Sequence, residues 1–134
     1  LTGGSGADTF STIGAVAKAA GNASVAGSEA TTTMTTITDF SGSDSIKIAT
    51  TASAIVDATS DIASATTLFG ALDAALSASG VTANKVAVFS YGGNTYLAHE
   101  DATDGITSGD TIIKLVGTFD ATDFAIATNV ITLA

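Results

Sequence analysis

The run Leu1-Thr2-Gly3-Gly4-Ser5-Gly6-Ala7-Asp8-Thr9-Phe10 constrains the fold of this chain more than any other stretch. Gly3, Gly4 and Gly6 permit a tight, partly left-handed backbone that a Cβ opposes. Such a turn directs backbone carbonyls inward, and Asp8 adds a carboxylate. Calcium is a hard cation that takes about six to eight oxygens, so carbonyls plus a carboxylate suit it. The spacing is that of the Gly-Gly-x-Gly-x-Asp-x-apolar-x nonapeptide, the unit from which calcium-loaded parallel β-rolls are built. In that geometry Phe10 turns into the core. Leu1 stands nine positions before Phe10, where the apolar residue of a preceding unit falls, so the sequence is expected to begin inside a repeat array. The competing reading is an ordinary Gly-rich turn before a strand.

With 134 residues the chain is expected to form one domain with a real core. The hydrophobic fraction of 46% is too high for a disordered segment, but much of it is Ala, and aromatics supply only 6%. The core is therefore expected to be thin and built from small side chains. There is no Cys and hence no disulfide, so calcium or packing must hold the fold together. A disulfide-free extracellular chain fits a bacterial secreted protein. The net charge of −9, from 4 basic and 13 acidic residues, argues against nucleic acid and against anionic lipid. It is compatible with divalent cations, which relieve acidic self-repulsion. No run of apolar residues is long enough for a membrane-spanning helix.

Beyond Phe10, Ser11 to Thr36 is small and polar. Ile13 to Ala20 reads either as two helical turns or as an insertion loop on the roll, and Thr31 to Ile37 as a strand. Ile37-Thr38-Asp39-Phe40 and Ser45-Ile46-Lys47-Ile48 read as two short strands around the turn Ser41-Gly42-Ser43-Asp44. The spacing of Leu68, Leu72 and Leu76, joined by Phe69, predicts a packing helix over Ala65–Ser79, capped by Ser64 and Gly80, with Asp73 facing solvent. From Lys85 the pattern turns to β. Two strands flank Gly92-Gly93-Asn94, a third covers Thr111–Val116 and a fourth Asn129–Leu133. Phe119 to Phe124 reads as a turn carrying two aromatic plugs.

In this order, the nonapeptide, the Ile37-x-Asp39-Phe40…Asp44-x-Ile46-x-Ile48 pair, the helix, the Tyr91–Leu97 hairpin and Asp110–Gly117 resemble the C-terminal module of RTX proteins exported by type I secretion. Serralysin-like proteases and RTX surface-layer proteins carry such modules. The resemblance implies a mainly β fold: the end of a parallel β-roll capped by a β-sandwich, with one packing α-helix. Residues 1–50 would hold the roll end with its insertion, 51–84 the helix region, and 85–134 an antiparallel β region ending in the export signal. It implies calcium at Gly3, Gly4, Gly6 and Asp8, with Asp39 and Asp44 as ligands or as organisers of the last turn. Each roll coil uses two nonapeptides, with calcium between neighbouring coils, so the single unit here offers half a site. The remaining ligands would come from Asp39 and Asp44, from upstream repeats or from a neighbouring molecule. The implied partners are the type I secretion apparatus, upstream β-roll repeats and further copies in a surface lattice. The implied location is extracellular or the bacterial cell surface. The Ala/Thr/Ser-rich stretch from Ser11 to Thr36 is closer to surface-layer proteins. The tail of a secreted metalloprotease, another hydrolase or an adhesin is the alternative.

Other groupings are weaker. His99, beside Glu100 and Asp101, has no second His or Cys to share a metal, and reads as a strand-end residue. Glu100, Asp101, Asp104 and Asp110 miss the EF-hand spacing and read as a solvated hairpin loop. Asp120 and Asp123 read as turn and cap residues. There is no Gly-x-Ser-x-Gly elbow and no His-Glu-x-x-His, so no enzymatic activity is expected of these residues.

Overall fold

A computed structural model describes residues 1–12, 34–107 and 109–134. The helix or insertion loop expected at Ile13–Ala20 lies outside the described residues, as does most of the strand expected from Thr31. Among the described residues, nine strands and one α-helix follow in the order β1 (Thr9–Thr12), β2 (Thr35–Ile37), β3 (Ser45–Ile48), β4 (Ala54–Asp57), α1 (Leu68–Leu76), β5 (Lys85–Tyr91), β6 (Asn94–His99), β7 (Thr111–Val116), β8 (Phe124–Ala127) and β9 (Val130–Leu133). The chain is mainly β with one packing helix.

The strands form two mixed sheets, ordered β1-β3-β9-β8 and β2-β7-β6-β5-β4. Side chains alternate faces along a strand, and the five-stranded sheet uses both faces for burial. Val86, Val88, Leu97, Ile113 and Leu115 point toward the smaller sheet and meet Phe10, Ile46, Ile48, Phe124 and Ile131. Ala87, Phe89, Tyr96, Ala98 and Ile112 point the other way and meet Phe69, Leu72 and Leu76 of α1. The result is three layers: sheet, sheet and helix. The outer face of the smaller sheet carries Thr9, Ser11 and Lys47, all exposed.

The helix is shorter than its apolar spacing predicts. It begins after Thr67, whose hydroxyl accepts a hydrogen bond from Gly70 N at 3.0 Å, and ends at Ser77. Thr67 meets an orphan amide of the first turn directly, so Ser64 is not needed as a cap. Two strands escaped the sequence reading. β4 is a short parallel edge strand on β5, and β8 forms a hairpin with β9 through Thr128 and Asn129, both at positive φ. Ile37 and Ile46 were expected on neighbouring strands, yet β2 and β3 lie in opposite sheets. Asp39-Phe40 carries the chain across the sandwich, and the Phe40 ring packs on Phe10, Phe119 and Phe124 with centroids 6.2–6.4 Å away.

Candidate metal centres

The Gly3–Asp8 turn lies directly on the Asp39–Asp44 turn. β1 runs parallel to β3, with Thr9 beside Ser45 and Phe10 beside Ile46, an offset of 36 residues. The offset persists through the turns. Thr38 N donates to Leu1 O, and the Thr2 and Thr38 hydroxyls meet at 2.8 Å. Gly3 N and Gly4 N donate to the two oxygens of Asp39 at 3.1 and 2.8 Å, and Asp8 N donates to Asp44 Oδ1 at 3.0 Å. The two turns and the strands that follow them are therefore stacked in parallel register. Aligned at this offset they share Thr2/Thr38, Ser5/Ser41, Gly6/Gly42 and Asp8/Asp44. That repeat is hidden because Asp39-Phe40 replaces the Gly-Gly pair.

Glycine is required at two kinds of position here. Gly4 and Gly6 sit at φ +93° and +124°, where a Cβ is strained. A Cβ on Gly3 would stand 2.5 Å from Asp8 Oδ2, so Gly3 forms the cradle for that carboxylate. Asp8 Oδ2 is buried and has no hydrogen-bond partner. The oxygens of Asp39 and Asp44 are committed to backbone amides, and Asp44 Oδ2 also takes the amide and hydroxyl of Ser41 at 2.8 and 3.0 Å. The Asp8 amide above all holds Asp44 below the usual carboxylate range. Desolvation opposes this, and the Ser41 donors add to it. Asp39 and Asp44 thus organise the stacked turns, while Asp8 keeps a free oxygen. A hard cation fits Asp8 Oδ2 as one donor of an incomplete shell. Beside it, between Leu1 and Ser11, a hollow of about 400 Å³ is walled by Gly3, Asp8 and Phe10. It opens where β1 has no strand on its outer side among the described residues.

A second group lies at the other end of the molecule, in the connection between β6 and β7. The sequence reading of a solvated loop is corrected here, because Glu100 and Asp110 are 1% and 0% exposed. One ligand oxygen each from Glu100, Asp101 and Asp110 fall within 4.8 Å of one another. Among the described residues this is the group of three acids that converges, whereas Asp8, Asp39 and Asp44 do not. Asp110 accepts from Asp101 N at 2.9 Å and from Thr107 N at 2.6 Å. Asp101 accepts from Thr103 N at 2.6 Å and from the Thr107 hydroxyl at 3.1 Å. Gly109 passes so close that a Cβ there would lie 1.8 Å from Asp101 Oδ2. Asp73 of α1, expected to face solvent, instead accepts from Ile106 N at 3.2 Å and ties the loop to the helix.

Both carboxylate oxygens of Glu100 are buried without a partner. Burial pushes its pKa up to about 8, with Asp110, Asp101 and Asp104 adding repulsion in that order. Burial also raises Asp110, against the pull of the Asp101 and Thr107 amides. His99 takes no part. It points between the sheets, where Nε2 lies 2.7 Å from Thr51 O and Nδ1 3.4 Å from the Thr50 hydroxyl. Near the C-terminus, Asp123 Oδ2 accepts from Asp120 N at 2.8 Å and closes the turn before β8.

Compared with known proteins, the chain matches no protein-family model, and no curated protein matches it.

Proposed function

We propose that the chain is a calcium-binding module of the RTX type, serving secretion and assembly of a bacterial surface-layer protein that leaves the cell by type I export. The observation that carries this reading is the residue-on-residue stacking of the Gly3–Asp8 turn on the Asp39–Asp44 turn at an offset of 36. That is the geometry of consecutive roll coils, and it leaves Asp8 Oδ2 buried without a donor. The role of Gly3, Gly4 and Gly6 is to supply the turn, and that of Asp8 is to bind calcium. Asp39 and Asp44 hold the two coils in register. The outer edge of β1, which has no strand beside it among the described residues, takes a preceding coil, from upstream repeats or from another copy in a lattice, and this completes the shell. Where calcium is scarce the acidic chain folds less readily, and outside the cell calcium drives folding by mass action. The Thr/Ala/Ser-rich, Cys-free, acidic composition favours a surface-layer parent over a protease tail.

Calorimetric titration with calcium, paired with thermal melts with and without chelator, tests this reading. Extracellular calcium modules bind at about 10⁻⁴–10⁻³ M. Calcium at about 10–100 times Kd stabilises a folded state by roughly 1.4–2.7 kcal/mol, which raises Tm by about 5–10 °C in a domain of this size. Asp8→Ala is expected to remove the part of that shift that belongs to the stacked turns. An identical calcium response in wild type and Asp8→Ala would remove the roll turn from the function.

A further inference from the structure

We propose that Glu100, Asp101 and Asp110 form a second divalent-cation site, one that takes calcium where the β6–β7 loop meets α1. It shares no residue with the stacked turns, and it stands or falls apart from them. Three observations carry it. The donors are all carboxylate oxygens, gathered within 4.8 Å. Glu100 is 1% exposed and both its oxygens lack partners, so a buried acceptor is aimed at two other acids with nothing to satisfy it. Unpartnered buried carboxylates are strongly disfavoured unless a proton or a cation neutralises them. Finally, the two aspartates are already fixed by Thr103, Thr107 and the Asp101 amide, so the loop is shaped before any ion arrives.

The donor chemistry favours calcium. Calcium takes carboxylate oxygens readily in flexible geometry, whereas magnesium dehydrates reluctantly and prefers to keep its waters. Buried hard oxygens without His or Cys also disfavour zinc and copper. Once loaded, the ion would join the end of β6 to the start of β7. Through Ile106 and Asp73 it would also anchor the loop to α1.

The test is a calcium titration of the intact chain, stripped by chelator and dialysed, as wild type, Glu100→Gln, Gly109→Ala and Asp8→Asn. Wild type and Asp8→Asn are expected to share a binding step that weakens at least tenfold in Glu100→Gln. Gly109→Ala retains all three carboxylates but displaces Asp101, and is expected to weaken the same step. Melting separates this from a structural role. In chelator, Glu100→Gln is expected to melt at or above wild type, because it removes a buried, unpartnered acid crowded by two others; in calcium the order reverses. Equal isotherms for wild type and Glu100→Gln would overturn the proposal and leave a proton shared among the acids. So would a Glu100→Gln melt lowered equally with and without calcium.

Discussion

Truncating Phe89 to alanine is expected to lower stability by about 3–5 kcal/mol, read as a fall of about 2 M in the urea midpoint at unchanged slope. Phe89 is 1% exposed and lies on the helix-facing side of β5. Its ring stacks on Tyr96 of β6, with centroids 5.5 Å apart and planes tilted by 17°. Both rings belong to the cluster that includes Phe69, Leu72 and Leu76. Much of the rest of that layer is alanine: Ala71, Ala75, Ala87 and Ala98. Small neighbours cannot move far enough to fill a phenyl-sized void, which places the cost in the upper part of the range for such truncations. The stacked turns lie on the far side of the larger sheet. The calcium step removed by Asp8→Ala should therefore survive in Phe89→Ala wherever the variant is folded. A midpoint unchanged within about 0.3 M would mean that α1 does not pack on β5 and β6 as described.

Deleting residues 130–134 is expected to abolish the cooperative melt altogether. β9 lies inside the four-stranded sheet, paired antiparallel with β3 on one side and β8 on the other. Ile131 is fully buried against Ile46 and Phe124 in the layer between the sheets. Removing the strand strands β8, uncovers β3 and exposes that layer. The loss exceeds what a domain stable by roughly 5–15 kcal/mol tolerates. Circular dichroism melts and urea titration read this directly, and a wild-type melt would contradict the interior position of β9. The proposed function would place an export signal in the same segment, so the deletion needs a companion. Ile131→Asn keeps all the residues of the segment but places a polar group in the buried layer. Loss of export in the deletion with normal export of Ile131→Asn would support a signal in the segment. Normal export of both would remove the signal from these residues.

Local pattern carried much of the fold. The Leu68/Leu72/Leu76 spacing marked the helix face, and Gly92-Gly93 marked the β5–β6 hairpin, because each signal is complete within a few residues. β4 stayed hidden because Ala54-Ile55-Val56-Asp57 is a short strand in an Ala/Thr/Ser background, and its partner β5 lies some thirty residues away. Phe10, Ile37 and Ile46 were readable as apolar positions, but not which sheet each joins. For the candidate sites the division is sharper. The Gly3–Asp8 turn was legible because its glycines are demanded by the backbone itself. The partnership of Asp39 with Gly3 and Gly4 was not, since it arises only when the two turns stack. The Glu100 pocket was misread because charged loops are ordinarily solvated and burial is settled by tertiary packing. The apolar Ile106 in the middle of an acidic run, 7% exposed in the structure, was the available clue.

The sheet order also bears on how this chain reaches its folded state. The smaller sheet joins β1 and β3, both before residue 50, to β8 and β9 from the last dozen residues. The larger sheet joins β2 to β7 across more than seventy residues. Closing such long loops costs entropy before any contact repays it, so folding through these pairings is slow, on the scale of milliseconds to seconds. Neither β3 nor the layer it covers has its full complement of neighbours until the strand ending at Leu133 is in place. The domain therefore cannot mature progressively as the chain lengthens. Its sandwich closes late, once β9 can pair with β3, and whatever ions surround the chain are present at the moment of closure.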